Sequence, residues 1–316
     1  MPVQEDFIEQ AAPFRSELLA HCYRLLGSVH EAEDLVQETY LRGWRAYESF
    51  EERAALRTWL YRIATRACLR ALENRARRVM PARLGEGSTD PDVALDDGAN
   101  AHSWIEPLPD SLTPDERVAT RDTVRLAVAT ALQELPARQR AVLILRDVAQ
   151  FSAAEVAELL STTPAAVNSA MQRARAHLAD VAPSEDTVAL PTDRRRLELI
   201  ERYCAAFEHA DLAALTELLR TDIALEMPPF TAWFHGRDAV TRFLAARAFA
   251  EPGAAIMVPI RANGQPAAAH YRRGEDGLHH AHALHVLTEG AEGDVAAITV
   301  FLNPELFAAF GLPETR

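Results

Sequence analysis

The chain has 316 residues, enough for two or three domains, and its 48% hydrophobic content can bury a substantial core at a formal net charge of −13. No lysine occurs, so all 33 positive charges are arginine, a planar fork that grips phosphate or carboxylate bidentately. No apolar run reaches the ~18 residues of a membrane span, and the N-terminus MPVQEDFIEQ lacks a basic-then-apolar leader. Cys22, Cys68 and Cys204 are far apart, which suits reduced, buried thiols rather than a disulfide or zinc framework. A cytoplasmic protein without membrane partner is expected.

A charge of −13 argues against a nucleic-acid partner, because such affinity rests on phosphate neutralisation. The charge is segmental, however. Residues 42–80 hold ten arginines and four acids, net +6. Residues 86–123 hold ten acids and two arginines, net −8. Residues 131–180 balance at five against five, and residues 184–316 carry −7.

In chain order, FRSELLAHCYRLLG predicts a helix with Phe14, Leu18, Leu19, Cys22, Leu25 and Leu26 on one stripe. Ser28 or His30 leads into a second helix, EAEDLVQETYLRGWRAY, with Ala32, Leu35, Val36, Thr39 and Tyr40 inward. A third runs through LRTWLYRIATRACLRALENRARR, where Leu56, Leu60, Ile63, Ala67 and Leu72 keep the period. Residues 81–121 read as an acidic linker without periodicity. Residues 122–182 predict four short helices. The last two, FSAAEVAELL and TPAAVNSAMQRARAHL, are capped by Ser152 and by Thr163 before Pro164, and form a helix-turn-helix. A linker spans 183–192. Residues 193–316 begin with an amphipathic helix pair over 193–222. The strands AAIMVPIRA, AAAHYRR, HHAHALHVLTEG and DVAAITVFLN follow, so an α+β domain with a curved sheet over helices is expected.

Three motifs in this order and spacing, AEDLVQETYLRGWRAY, RTWLYRIATRACLRAL and LPARQRAVLILRDVAQFSAAEVAELLSTTPAAVNSAMQRARAHL, resemble the two conserved regions of extracytoplasmic-function (ECF) sigma factors. The tail segments PPFTAWFHGRDAV, VPIRANGQPAAAHYRR and TVFLNPELFAAFGLP are similar to the SnoaL-like domain fused to the SigG-like and SigJ-like groups. The resemblance implies a multidomain chain: two all-α sigma domains, region 2 over 1–80 and region 4 over 122–182, then an α+β SnoaL-like cone over 193–316. It implies a transcription initiation factor without catalytic step or cofactor. Its implied partners are RNA polymerase core, through clamp and flap, and a two-part promoter.

The residues then take candidate roles. Arg57, Arg62, Arg66 and Arg70 recur near one helical face that can follow a phosphate backbone, and Trp59 and Tyr61 offer rings for stacking an unpaired base. The alternative places the two aromatics in the core and the arginines on a solvated face. In the family, the loop before this helix, here Ser49–Ala55, receives a flipped −10 base. Asp34, Gln37 and Glu38 are candidate polymerase contacts; the alternative is an acid-rich helix start favoured by the helix dipole. Thr163, Ala165, Asn168, Ser169, Gln172 and Arg173 are the expected −35 face, since Asn and Gln pair with adenine and Arg with guanine. The acidic linker reads as a solvated tether, as a strand threading a basic polymerase channel, or as a cover over the basic 42–80 face.

In the cone, Trp233, His235, His270, Tyr271 and His282 are candidate pocket groups for a small molecule, with Glu226 and His280 as further polar groups. Strand alternation puts His280 and His282 on one face and His279 and His285 on the other, too few for a metal site. Asn303 is expected to cap a short closing helix starting at Pro304. Two other functions stay open: a standalone helix-turn-helix regulator, and a bifunctional protein with an enzymatic cone.

Overall fold

Glycine and serine punctuate the first helices. In the computed structural model, α1 (Pro2–Ala11), α2 (Arg15–Leu26), α3 (Val29–Ala46) and α4 (Leu56–Leu72) follow the apolar stripes of the sequence. The structure describes residues 2–50, 55–73, 75–96, 102–113, 124–181, 193–249 and 251–316. Helix α2 stops where Gly27 takes φ +72°, a conformation that costs glycine little. Ser28 then caps α3, its Oγ accepting from the Glu31 amide at 3.2 Å. Leu18, Leu19, Cys22, Leu25 and Leu26 of α2 are buried, with Val36 of α3 and Leu60, Ala64 and Cys68 of α4. Leu35 is only half-buried, so Val36 takes the inward place expected to be shared by both.

Four more helices follow: α5 (Leu126–Gln133), α6 (Ala137–Leu143), α7 (Ala153–Leu159) and α8 (Pro164–Val181). Pro136 ends the α5 segment because its ring cannot continue a helix as donor. Ser152 and Glu155 form a reciprocal capping box on α7, with bonds of 3.2 and 2.7 Å. Thr163 accepts from the Ala166 amide at the start of α8. Residues 1–78 and 111–182 make one folded unit. Inside it, the buried Arg140 fixes α6 to the C-terminal end of α2: its guanidinium donates to the carbonyls of Leu25, Gln133 and Leu135 and to the Gln133 side chain. A cation there also meets the negative end of the α2 dipole. Burial lowers the Arg140 pKa to about 10, still charged at neutral pH.

The second unit joins residues 79–110 to 183–316. Helices α9 (Asp193–Glu208), α10 (Leu212–Leu218) and α11 (Arg237–Arg247) cover a six-stranded sheet. Its strands are β1 (Leu219–Glu226), β2 (Trp233–His235), β3 (Ala255–Ala262), β4 (Gln265–Arg273), β5 (His279–Glu289) and β6 (Val295–Phe301), ordered β2-β1-β6-β5-β4-β3. Strands β3 to β6 form the expected antiparallel meander, and β1 lies parallel to β6. The expected helix over 193–222 therefore ends at Leu218. Residues 219–222 enter the sheet, since Ile223 and Leu225 must reach the core on alternate positions. The core includes Leu199, Tyr203, Phe207, Ile223, Phe234 and Phe243.

The described part of the expected linker is built into this unit. The Ser88 amide donates to the Trp233 carbonyl at 2.8 Å, and the His235 amide to the Ser88 carbonyl at 3.2 Å. Leu108 and Asn263 exchange bonds of 2.8 and 2.9 Å, and Asp110 holds Arg261 and the Gly264 amide. Ile105 and Leu108 are fully buried. A solvated tether over these residues is thus corrected: their backbone groups find partners on the sheet and turns of the same unit. Asp97 and the acids Asp115, Glu116 and Asp122 lie outside the described residues, as do residues 183–192 and most of the loop Ser49–Ala55.

At the C-terminus, α12 (Leu306–Ala309) begins two residues later than expected. Asn303 accepts from the Glu305 amide at 3.0 Å, while Leu306 and Phe307 are buried. The last residues pair with the start of β5, through Arg316 with His279 and Glu314 with Ala281.

Candidate nucleic-acid interface and cone cavity

Spacing of four residues puts Arg62, Arg66 and Arg70 on one side of α4. With Arg42 of α3 they line a shallow hollow of about 250 Å³, one wall of which is Trp59. Trp59 is 8% exposed and packs on Phe50, ring centres 4.9 Å apart, so it is a core residue that also walls the hollow. Tyr61 is different. It is buried, its hydroxyl donates to Glu17 at 2.9 Å, and burial with the Glu17 charge holds the phenol well above its usual range. No base can stack on Tyr61 in this arrangement; here the expectation is corrected, because position 61 falls on the inward face with Leu60 and Ala64.

Arg57 is likewise occupied. It pairs with Glu17, donates to the Ala149 carbonyl at 3.2 Å, and lies over the rings of Tyr61 and Phe151 at 4.8 and 4.9 Å. Arg66 donates to the Leu159 carbonyl and to Ser161 Oγ, at 3.3 and 2.9 Å, in the turn between α7 and α8. The four arginines therefore divide: Arg57 and Arg66 hold the helix-turn-helix segment, while Arg62 and Arg70 keep to the hollow.

On α3, Asp34 and Gln37 are exposed, and Glu38 is half-buried and paired with Arg42 at 2.6 Å. The same face continues through Leu41 and Trp44, 55% and 37% exposed, which the acid-centred reading of the sequence passed over. At the start of α8 and along it, Thr163, Ala165, Asn168, Ser169, Gln172 and Arg173 are all exposed, while Val167, Ala170, Met171 and Ala174 are buried. The sequence period alone sorts these ten positions.

In the second unit a cavity of about 480 Å³ opens between α9, α11 and the sheet. Phe207, Met227, Phe230, Phe243, Leu244 and Val300 make it largely apolar. One wall carries His270, His282 and His285. Their rings stand edge to face, His270 to His282 at 5.0 Å and His270 to His285 at 5.3 Å. Strand alternation predicted that His282 and His285 face apart. A β-bulge corrects this: His270 pairs with Ala283 and Tyr271 with Ala281, leaving His282 as the extra residue that resets the alternation. Burial lowers the His270 pKa to about 3, helped by His282 and Arg272, and lowers His282 and His285 as well, so the wall is neutral at pH 7.

The other expected pocket groups lie elsewhere. Tyr271 points to the opposite face of β4, where its hydroxyl donates to the Pro313 carbonyl at 3.0 Å against Phe307. Trp233 Nε1 donates to the Gly85 carbonyl at 3.0 Å, and Gly87 crosses so close that a Cβ there would meet His235 and Trp233 at 2.7 and 2.8 Å. Those two side chains thus pack beside residues 85–88 at the surface, Trp233 half-buried and His235 exposed, and neither lines the cavity. Glu226 accepts from the Ala82 amide at 3.0 Å, and desolvation raises the pKa of its half-buried carboxyl. His280 pairs with Asp276 at the surface. Among the described residues no cluster of three His, Cys, Asp or Glu side chains could hold a metal ion, and no helix is long and apolar enough to cross a membrane.

Three family models match in chain order: sigma-70 region 2 over residues 12–78, sigma-70 region 4 over 125–178 and the SnoaL-like domain over 200–302. ECF RNA polymerase sigma factor SigG of Mycobacterium tuberculosis is 48% identical, with 98% of this chain and 85% of that protein aligned. The chain belongs to the ECF RNA polymerase sigma factors. SigJ of the same bacterium is 29% identical over 75% of this chain and 72% of its own length. The crystal structure of Mycobacterium tuberculosis SigJ superposes with a TM-score of 0.61 at 25% identity, covering 97% of this chain and all of that one. As a sigma factor the protein is an initiation factor that binds RNA polymerase core and promoter DNA, and the chemistry of RNA synthesis belongs to the polymerase. Residues 12–78 thus match region 2, α5 to α8 lie in the region 4 match, and most of the cavity lining lies in the SnoaL-like match.

Proposed function

We propose that the SnoaL-like domain regulates this sigma factor by taking a small molecule into its 480 Å³ cavity. The observation that carries the reading is that cavity itself: a preformed apolar space with a few convergent polar groups is what a ligand site needs. The arginine hollow of α4 contacts the −10 element, the exposed face of α8 reads the −35 element, and Asp34, Gln37 and Glu38 meet the polymerase clamp. Region 4 reaches the flap. Engagement of α4 with DNA then requires release of Arg66 from the Leu159 carbonyl and Ser161.

Run-off transcription with purified core polymerase tests the regulatory part. Ala248→Trp places a large ring in the cavity from the end of α11. It is expected to change transcript yield at equal holoenzyme concentration while binding to core stays constant. Equal yield from variant and parent, in purified components and in cells, would defeat it.

A further inference from the structure

Helix α1 lies ahead of the residues that match region 2. Of its described side chains, Phe7 and Ala11 are buried, at 1% and 0% exposure. Two tyrosines tie it down. The Tyr40 hydroxyl of α3 donates to the Ala11 carbonyl at 2.7 Å, and the Tyr47 hydroxyl donates to Gln10 Oε1 at 3.2 Å.

The Phe7 ring is keyed into its neighbour. On α3, a Cβ at Gly43 would meet Phe7 Cζ at 2.8 Å and Cε2 at 3.2 Å. Gly43 sits inside a helix, where glycine is disfavoured against alanine, so the missing methyl keeps space for the ring. Phe7 packs on Tyr47 with ring centres 5.1 Å apart and meets Trp59 edge to face at 6.5 Å. Phe50 closes the cluster, 6.0 Å from Tyr47 and 4.9 Å from Trp59. Such ring pairs contribute beyond the area they bury.

The cluster brackets one loop. Phe50 stands near the start of Ser49–Ala55. Trp59 follows its end, in the first turn of α4, with its amide donating to the Ala55 carbonyl at 3.1 Å. Trp59 also walls the hollow of Arg42, Arg62, Arg66 and Arg70. Through Tyr47 and Trp59, Phe7 therefore braces both ends of the loop and one wall of the hollow. We infer that Phe7 is a positioning residue for promoter opening. Being buried, it acts through the rings of Trp59 and Phe50, which it holds in place while the −10 bases unpair, and not on DNA itself. This rests on the −10 reading proposed above and adds a residue from outside the region 2 match.

Run-off transcription with the full-length protein and core polymerase tests it. One promoter fragment that the parent holoenzyme transcribes is supplied fully paired and with its −10 bases already unpaired. The ratio of the two yields cancels differences in the amount of folded protein. Phe7→Ala should lower that ratio about tenfold, the scale of one good ring contact, by failing on the paired template. Gly43→Ala removes no side chain and pushes on the same ring from α3; it should lower the ratio in the same direction, and it decides the matter where Phe7→Ala does not fold. Leu18→Ala, an equally buried change on α2, should lower the urea midpoint and leave the ratio at the parent value. A parent ratio in Phe7→Ala, or in Gly43→Ala where that variant stands in, overturns the assignment. So does an equal fall in Leu18→Ala, which would make the effect one of general stability. The −10 reading is checked separately: if the double variant Arg62→Ala, Arg70→Ala keeps the parent yield on the paired template, that reading fails whatever Phe7 does.

Discussion

Two buried histidines, one in each folded unit, carry the same depressed basicity in opposite surroundings. His21 of the first unit is packed tight, its Nε2 2.9 Å from Thr65 Oγ1 and its ring 4.8 Å from Tyr61. His270 of the second unit borders a 480 Å³ space. Both are pulled down to about 3, chiefly by burial. The pKa therefore does not distinguish a histidine packed in a core from one that lines a cavity; the neighbouring volume does. The same contrast runs through the units as wholes. The first uses Arg57, Arg66 and Arg140 on its own carbonyls and carboxylates. The second lines a cavity with His270, His282 and His285.

The largest effect that would sharpen this contrast comes from Arg140→Ala. It strands the carbonyls of Leu25, Gln133 and Leu135 in the core and should destabilise the first unit by about 3 kcal/mol. Urea titration followed by Trp44 and Trp59, with Trp104 and Trp233 replaced by Phe, reads that unit separately. An unchanged midpoint would break the claim that the buried guanidinium ties α6 to α2.

Acid comes next. A histidine held neutral in the fold but free to protonate when unfolded gives stability that is complete above its unfolded pKa of about 6.5 and lost as pH falls towards its folded value. Between pH 6.5 and about 3 the slope is about 1.4 kcal/mol per pH unit for each such group. The first unit has His21; the second has His270 and His285, with His282 lowered as well. Lowering the pH from 6.5 to 5 should therefore weaken the second unit more. The reciprocal tryptophan pair, Trp104 and Trp233, follows it, and equal losses in both units would contradict the comparison.

Smaller effects concern the helix-turn-helix. Ser152→Ala removes one half of the α7 capping box and should cost about 1 kcal/mol in the urea midpoint of the first unit. Asn168→Ala and Gln172→Ala lie on the exposed face of α8 and should leave stability within about 0.5 kcal/mol. Both should reduce promoter-dependent run-off yield. A normal yield from the double variant would remove these residues from the −35 face.

Local physics was legible in the residues, and long-range pairing was not. Ser28, Ser152 and Thr163 announce helix starts because a cap needs only its own next few amides. The inward positions of α8 follow from a 3.6-residue period. The reading faltered where distant segments decide the outcome. Tyr61 looks like a stacking platform until α2 supplies Glu17. The expected linker looks solvated until Phe234 and Asn263 offer it sheet and turn partners. His282 and His285 were separated by an alternation that one bulged residue undoes, and the signal for that bulge, a register shift against β4, exists only between strands.

The route of the chain between its units has a practical consequence. It leaves the first unit after Arg78, contributes residues 79–110 to the second, returns for 111–182 and leaves again at 183. The SnoaL-like portion is therefore not a detachable appendix at the carboxyl end. A truncation after residue 183 would remove Asn263, Arg261 and Trp233, which hold Leu108, Asp110 and Ser88 in place. A chimera that grafts this domain onto another sigma factor must transplant two segments, 79–110 and 183–316, or it will carry half a folded unit.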